Sequence, residues 1–505
     1  MRNRALSVLF ATLLAAALAI PAGAERAVSA VNSPNLTHVA NVRYPEELRK
    51  AARLKIGDWQ GGTDLEFTTL TVPDTSVNEA MRGQTRDFSV AGTYQNGMQL
   101  VDITDPTAPT LAATYGCDLL QGDVQVFSRT DELGATRTFA TYTADLAAKK
   151  SPCTDDARTA SGRAFSLGTL IIEITDPYAP KAVGVASIPV GSHNMTVHPS
   201  GLWMYNSDND TGKQLEVWSL ADLTKPEKVF TLPLQQASAD THDVTFSADG
   251  NRAYVASITH SYILDTSKPE APALLGTIVD PAVGIHHQAD PITMKDPVTG
   301  TDRTYIIIND EITGAAGNGY CPGGGLHVYD ATGPLEKAPV KVGAFFMPEV
   351  TVQEGAKTGA EGTVTCTAHV FRLYPEQRKL VIAWFSGGVR VVDLSNLAGL
   401  SAGAQNASTG QVAGMKEIAY NRFPDSDVWA AKVHKWEEDG SAYIFGNDQT
   451  RGFDVFRFSA EAAPSAEQGK WLDVEETAAH MAKVRLKLGS TLAEPYCLLR
   501  TRGRL

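Results

Sequence analysis

The sequence predicts an all-β protein: a seven-bladed β-propeller of four-stranded antiparallel blades with a mainly helical C-terminal tail. Three observations predict it. A short strand motif recurs seven times along the 505 residues, its copies are spaced at blade length, and each lies among other short alternating runs separated by turns. Composition agrees. With 43 % apolar and 20 % charged residues, and with 43 glycines and 26 prolines spread without a three-residue period, the chain is not disordered, collagenous or a coiled coil.

The chain opens on a secretory signal. Arg2 and Arg4 form a basic start, Ala5 to Ile20 is uncharged and apolar, and Ala22-Gly23-Ala24 is a small-x-small cleavage pattern. Cleavage after Ala24 is expected, which sends the mature chain to a secreted, periplasmic or cell-surface location. The apolar run stands near the lower limit of roughly 17 to 20 residues for a membrane span, and no later run is long enough, so no transmembrane helix is expected in the mature chain. Loss of the two arginines takes the net charge from −13 to −15, which argues against nucleic acid or an anionic membrane as partner.

The repeated motif is a small or polar residue, an alternating apolar strand that usually ends near Asp, and often a proline-bearing turn. It begins at Gly97 (GMQLVDITDPTAP), Gly168 (GTLIIEITDPYAP), Gln214, Ser261, Gly325 (GLHVYDATGP), Gly388 (GVRVVDLSN) and Gly452. The strands end near Asp102, Glu173, Trp218, Asp265, Asp330, Asp393 and Arg457, about 45 to 71 residues apart, which is one blade plus variable loops. The first blade takes runs starting at Gly62, Arg86, Gly97 and Thr110. Blade four reads Thr241-HDVTFSADG, Arg252-AYVAS, Ser261-YILDT and Ala273-LLGTIV, and blades three and six divide in the same way. The seventh has runs at Ala430, Ala442 and Gly452 but no fourth strand after Phe458. A ring must join its ends or leave an unpaired edge, so a segment within Asn35 to Trp59 is expected to close it. This divides the chain into a leader (1–24), an N-terminal segment with the closing strand (25–59), the propeller (60–461) and a helical tail (462–505).

The strings LVDITDP, IIEITDP, HVYDATGP and VRVVDLSN, together with CTAHVFRL followed by AWFSGGVRVVDLS, closely resemble the bacterial secreted LVIVD-repeat proteins over about residues 60 to 460. The resemblance implies a β-propeller at or outside the cell surface. That family has no single established activity.

Histidines recur at one structural place. His193, His242, His287, His369 and His434 stand at or near the start of the first strand of blades three to seven, and first strands line a propeller's channel. Antiparallel order puts the loop after each second strand on the same face, which adds Asp208, Asp310, Glu311 and Asp448. Such imidazoles and carboxylates suit one transition-metal ion or a polar ligand, and equally suit acid–base work near neutral pH. The plain alternative is that each His hydrogen-bonds its neighbouring blade as a packing device. His287 is favoured over His286 for the inward position, because successive strand residues alternate faces. His198, His260 and His327 read as structural.

Five cysteines after a secretory signal read first as disulfides with one left over, Cys497. Topology puts Cys117 with Cys153 and Cys321 with Cys366 at the channel-mouth face, each pair tying a long loop. Cys321-PGGG lacks the strand and helix of a phosphate-binding loop, Asn206-SDND lacks the Gly and terminal Glu of a calcium loop, and Gly-x-Ser-x-Gly is absent. The functional expectation is a monomeric binding or interaction module for a small polar ligand or another cell-surface protein, with a metal-dependent lyase, hydrolase or oxidase as the alternative.

Overall fold

The computed structural model describes residues 30–45, 59–131, 133–146, 152–189, 191–207, 214–234, 241–296, 299–312, 321–350, 365–397, 414–461 and 469–488. Residues 1–24, Asp208 and Cys497 lie outside the described residues. Seven antiparallel sheets form the blades of a propeller. Their first strands, Gly62–Thr71, Leu120–Thr130, Asn194–Val197, Asp243–Phe246, His286–Lys295, Phe371–Tyr374 and Val428–Trp436, pack beside one another around the channel.

The repeated motif forms the third strand of each blade, and its opening glycine has a steric cause. Gly97, Gly168 and Gly388 have φ of +79°, +113° and +77°. At each of the three a Cβ would lie 2.2 Å from a carbonyl oxygen of the fourth strand, that of Tyr115, Ala186 or Asn421. The turn after the strand has its own cause. Asp105, Asp176 and Asp222 each accept a hydrogen bond from the amide two residues on, which closes the turn that leads to the fourth strand.

The core is divided in the way blades require. Both faces of each sheet are covered, and buried side chains form one cluster at every junction between neighbouring blades. At the junction of blades one and two, Val90 and Leu100 meet Val124, Tyr142 and Leu170, all fully buried. This two-sided burial is why third strands such as Leu170-Ile171-Ile172 are apolar without alternation.

The ring is closed by the N-terminal segment. Leu36–Val42 pairs antiparallel with Gly452–Phe458 and supplies the fourth strand of blade seven. Just before it, Val31–Asn32 extends blade six by pairing with Asn421 and Arg422. At the other end Lys470–Leu472 adds a fifth strand to blade five along Val340–Phe346. The helix Val474–Leu488 follows, opened by a reciprocal cap between Asp473 and Glu476, and packs Met481 and Val484 on Ala344 and Phe346. Disulfides join Cys117 to Cys153 and Cys321 to Cys366, with Cα separations of 5.2 and 5.0 Å. Cys153 lies in a helix, Pro152–Ser161, inserted after the second strand of blade two.

Candidate functional site

Four of the five expected histidines converge. His193, His242, His287 and His369 stand in an arc at one end of the channel, with successive ring centroids 4.3, 4.3 and 4.4 Å apart. All four line a cavity of about 300 Å³ in the channel. They meet because each lies within two residues of the start of its blade's first strand, so the sevenfold repeat brings equivalent positions to one ring.

Hydrogen bonds fix the imidazole tautomers. His242 Nδ1 faces the His287 carbonyl at 2.9 Å and His369 Nδ1 the Trp429 carbonyl at 2.6 Å, so in both rings Nδ1 carries the proton and Nε2 the lone pair. His193 donates from Nδ1 to Asp145 (3.2 Å) and accepts at Nε2 from the Gln121 amide (3.3 Å). His287 is reversed. The Asn309 amide is oriented by accepting from the Gln288 N–H and donating to the His369 carbonyl, so its NH2 also faces His287 Nδ1 at 3.3 Å and leaves the ring proton on Nε2. That nitrogen lies 3.6 Å from Glu311 Oε2, and His369 Nε2 lies 3.5 Å from Glu311 Oε1. Burial, helped by the neighbouring imidazoles, holds His242 and His287 well below the usual histidine range, and burial brings His369 down to about 3, so all three are neutral at pH 7.

The donor atoms of His242, His287 and Glu311 lie within 4.8 Å of one another, the group of three among the described residues able to share one ion. Trp429 stands in blade seven where blades three to six carry His, edge-on to His369 with ring centroids 4.6 Å apart.

His434 is elsewhere. It lies five residues farther along the same first strand, where it meets Asp87 (3.3 Å) and Phe67 (5.1 Å between rings) away from the cavity lining. The sequence expectation for it therefore fails, because the inward position is set by register with the strand's beginning and Trp429 holds it. Asp310 and Asp448 are also displaced from the expected role. Asp310 accepts from the amides of Gly284, Ile285 and Ile312, and Asp448 from those of Asp427, Thr450 and Arg451, so each binds its own loop. Of His286 and His287, only His287 lines the cavity; His286 Nδ1 bonds Ser261.

Below the imidazoles the cavity has a polar wall that the sequence reading missed. Each first strand presents residues i and i+2 to the channel: Asp64 and Glu66 in blade one, Asp123 and Gln125 in blade two, Asp243 and Thr245 in blade four, with Arg372 and Lys432 from blades six and seven. Lys432 donates to Asp64 and Glu66, both at 2.9 Å, and Arg372 pairs with Glu66. Burial opposes ionisation of Glu66, but Arg372 and Lys432 hold it down to about 2. Burial and then Asp290 push Asp243 up to about 7. The signal that could have shown this wall is the alternation of polar residues inside strands whose other neighbours are apolar.

Among known proteins, the LVIVD repeat family matches residues 82–116, which hold the second, third and fourth strands of blade one. The chain is a seven-bladed β-propeller that carries an LVIVD repeat in blade one. No curated protein matches it. Among solved structures, the propeller is similar to hydrazine synthase of Kuenenia stuttgartiensis (12 % identity, 78 % of this chain and 95 % of that chain, TM-score 0.44). It is also similar to a protein from Lactobacillus plantarum (11 % identity, 76 % and 98 %, TM-score 0.45). A third is the Cps50 β-propeller domain from Myceliophteria thermophila (8 % identity, 74 % and 93 %, TM-score 0.41).

Proposed function

We propose that this LVIVD propeller is a secreted binding module that holds a divalent transition-metal ion at the mouth of its channel. The observation that carries the reading is the convergence of His242, His287 and Glu311, all buried, with donor atoms within 4.8 Å of one another. Neutral imidazoles and a carboxylate are the donors that zinc and its neighbours take. Three protein ligands leave a coordination position open toward the cavity, where a polar ligand could bind. Disulfides in two pairs fit an oxidising compartment, and among the described residues no helix is long and apolar enough to cross a membrane.

Elemental analysis and zinc titration of the mature protein test the reading. One equivalent of zinc per chain is expected, with at least a tenfold loss of affinity in His242→Ala and in Glu311→Gln, and none in His434→Ala. A protein that takes up no transition metal, or whose His242→Ala variant binds zinc like the parent, would overturn it.

A further inference from the structure

The cavity wall below the imidazoles is unevenly charged. Its two cations, Arg372 and Lys432, both sit on the Asp64 and Glu66 side, where they neutralise those carboxylates. Around the rest of the ring, Asp123, Asp243 and Asp290 from blades two, four and five line the same cavity, and their hydrogen-bond partners among the described residues are neutral. Asp290 accepts from Thr245 Oγ1 (2.6 Å) and Gln288 Nε2 (3.0 Å), Asp243 from the Val244 amide (2.7 Å), and no lysine or arginine among the described residues pairs with any of the three.

A second observation points the same way. His369 is fully buried and lines the cavity, and its Nε2 has no hydrogen-bond partner. Because Nδ1 donates to Trp429, that nitrogen is an acceptor. The unmatched groups facing this space are thus an imidazole lone pair and three carboxyls whose ionisation burial opposes and a bound cation would restore. Their complement is a cation rich in N–H donors. A bare divalent ion is a poor match, since among the described residues the three carboxylates do not form a set with oxygens within 4.8 Å of one another. A flexible amine with an ammonium group at each end can reach carboxyls that a single ion cannot, and a cavity of about 300 Å³ stands at the small end of the range for small-molecule sites.

We propose that the channel binds a small organic diamine, its two ammonium groups shared among Asp123, Asp243 and Asp290 beneath the imidazole arc. This site does not need the metal, so the two readings stand or fall separately.

Calorimetry on the metal-free mature protein, with disulfides intact, tests the proposal with three probes of one length: 1,4-diaminobutane, 1,4-butanediol and succinate. Saturable one-to-one binding of the diamine is expected, with no measurable binding of the diol or the dicarboxylate. Asp123→Asn and Asp290→Asn should each weaken diamine binding at least tenfold while zinc uptake stays at the parental level. Equal binding of the diol, or parental diamine affinity in the Asp123→Asn/Asp290→Asn double variant, would overturn it, and the three probes on the unmodified protein decide even where a variant fails to fold. Diamine binding without zinc uptake sinks the metal reading alone; zinc uptake without diamine binding sinks this one alone.

Discussion

At the scale of single residues, the site turns on which ring nitrogen carries the proton. His242 and His369 present lone pairs, but His287 presents an N–H because Asn309 donates to its other nitrogen. A metal bound at His287 Nε2 must displace that proton, and Nδ1–H would then oppose the Asn309 NH2. An acceptor in place of that amide removes the conflict and supplies the carboxylate–histidine–metal arrangement that raises ligand basicity. Asn309→Asp is therefore expected to raise zinc affinity about tenfold, read by competition with a chromophoric chelator, whereas unchanged affinity would place the ion away from His287. The same scale shows what sequence can carry. The arc was legible because a sevenfold repeat fixes one position per blade, and Glu311 because second strands end at the same mouth. His434 misled because proximity to a strand start does not give the face: Trp429 holds the inward place, and the side chain five residues on reaches Asp87 instead.

At the scale of elements, the closing strand shows how the ring is held. Its need was legible from the missing strand after Phe458; its anchoring was not, since that depends on residues some 400 positions apart. Asp454 in the third strand of blade seven accepts from His38 (2.8 Å) and Asn41 (2.8 Å) on the closing strand and from Arg451 Nε (2.8 Å) in its own turn. Burial raises its pKa, yet Arg451 and His38 outweigh burial and hold the carboxyl down to about 2. Depression in the folded state means that the stabilisation is complete above the unfolded value near 3.8 and is lost as pH falls through 2. Asp454→Asn should cost about 2 kcal/mol at pH 7, read by denaturant unfolding, and the difference from the parent should shrink between pH 4 and pH 2. A cost independent of pH across that interval would mean that packing, not charge, secures the strand. The channel wall was illegible for a related reason. Polar residues at i and i+2 have a meaning only once the strand is known to face a channel, where Asp64 and Glu66 find Lys432 from a strand more than 360 residues away.

At the scale of the whole molecule, the two disulfides have unequal positions relative to the site. Both close loops of comparable length, with separations of 36 and 45 residues, so chain entropy gives each roughly 4 kcal/mol of stabilisation. Their neighbours differ. Cys366 stands three residues before His369, and the intervening Thr367 donates to the Asp310 carbonyl (3.0 Å), next to Glu311, and accepts from the Gly324 amide (2.9 Å). The Cys366 carbonyl also accepts from Gly323, so the bridge ties the segment that carries His369 to the loop of blade five beside Glu311. These two side chains come from different blades and approach to 3.5 Å beside that tie, which is expected to hold them together. Cys117 and Cys153 instead pack with Val124, Tyr142 and Ala157 at the junction of blades one and two. Removing either bridge by paired Cys→Ser substitution should lower unfolding free energy by a similar amount. Only the Cys321→Ser/Cys366→Ser pair should also weaken zinc binding, about tenfold or more, at a temperature where both variants are folded by circular dichroism. If both pairs weaken zinc equally, the mouth depends on overall stability and not on the local tie; if neither does, the junction of blades five and six holds His369 against Glu311 through its packed core alone.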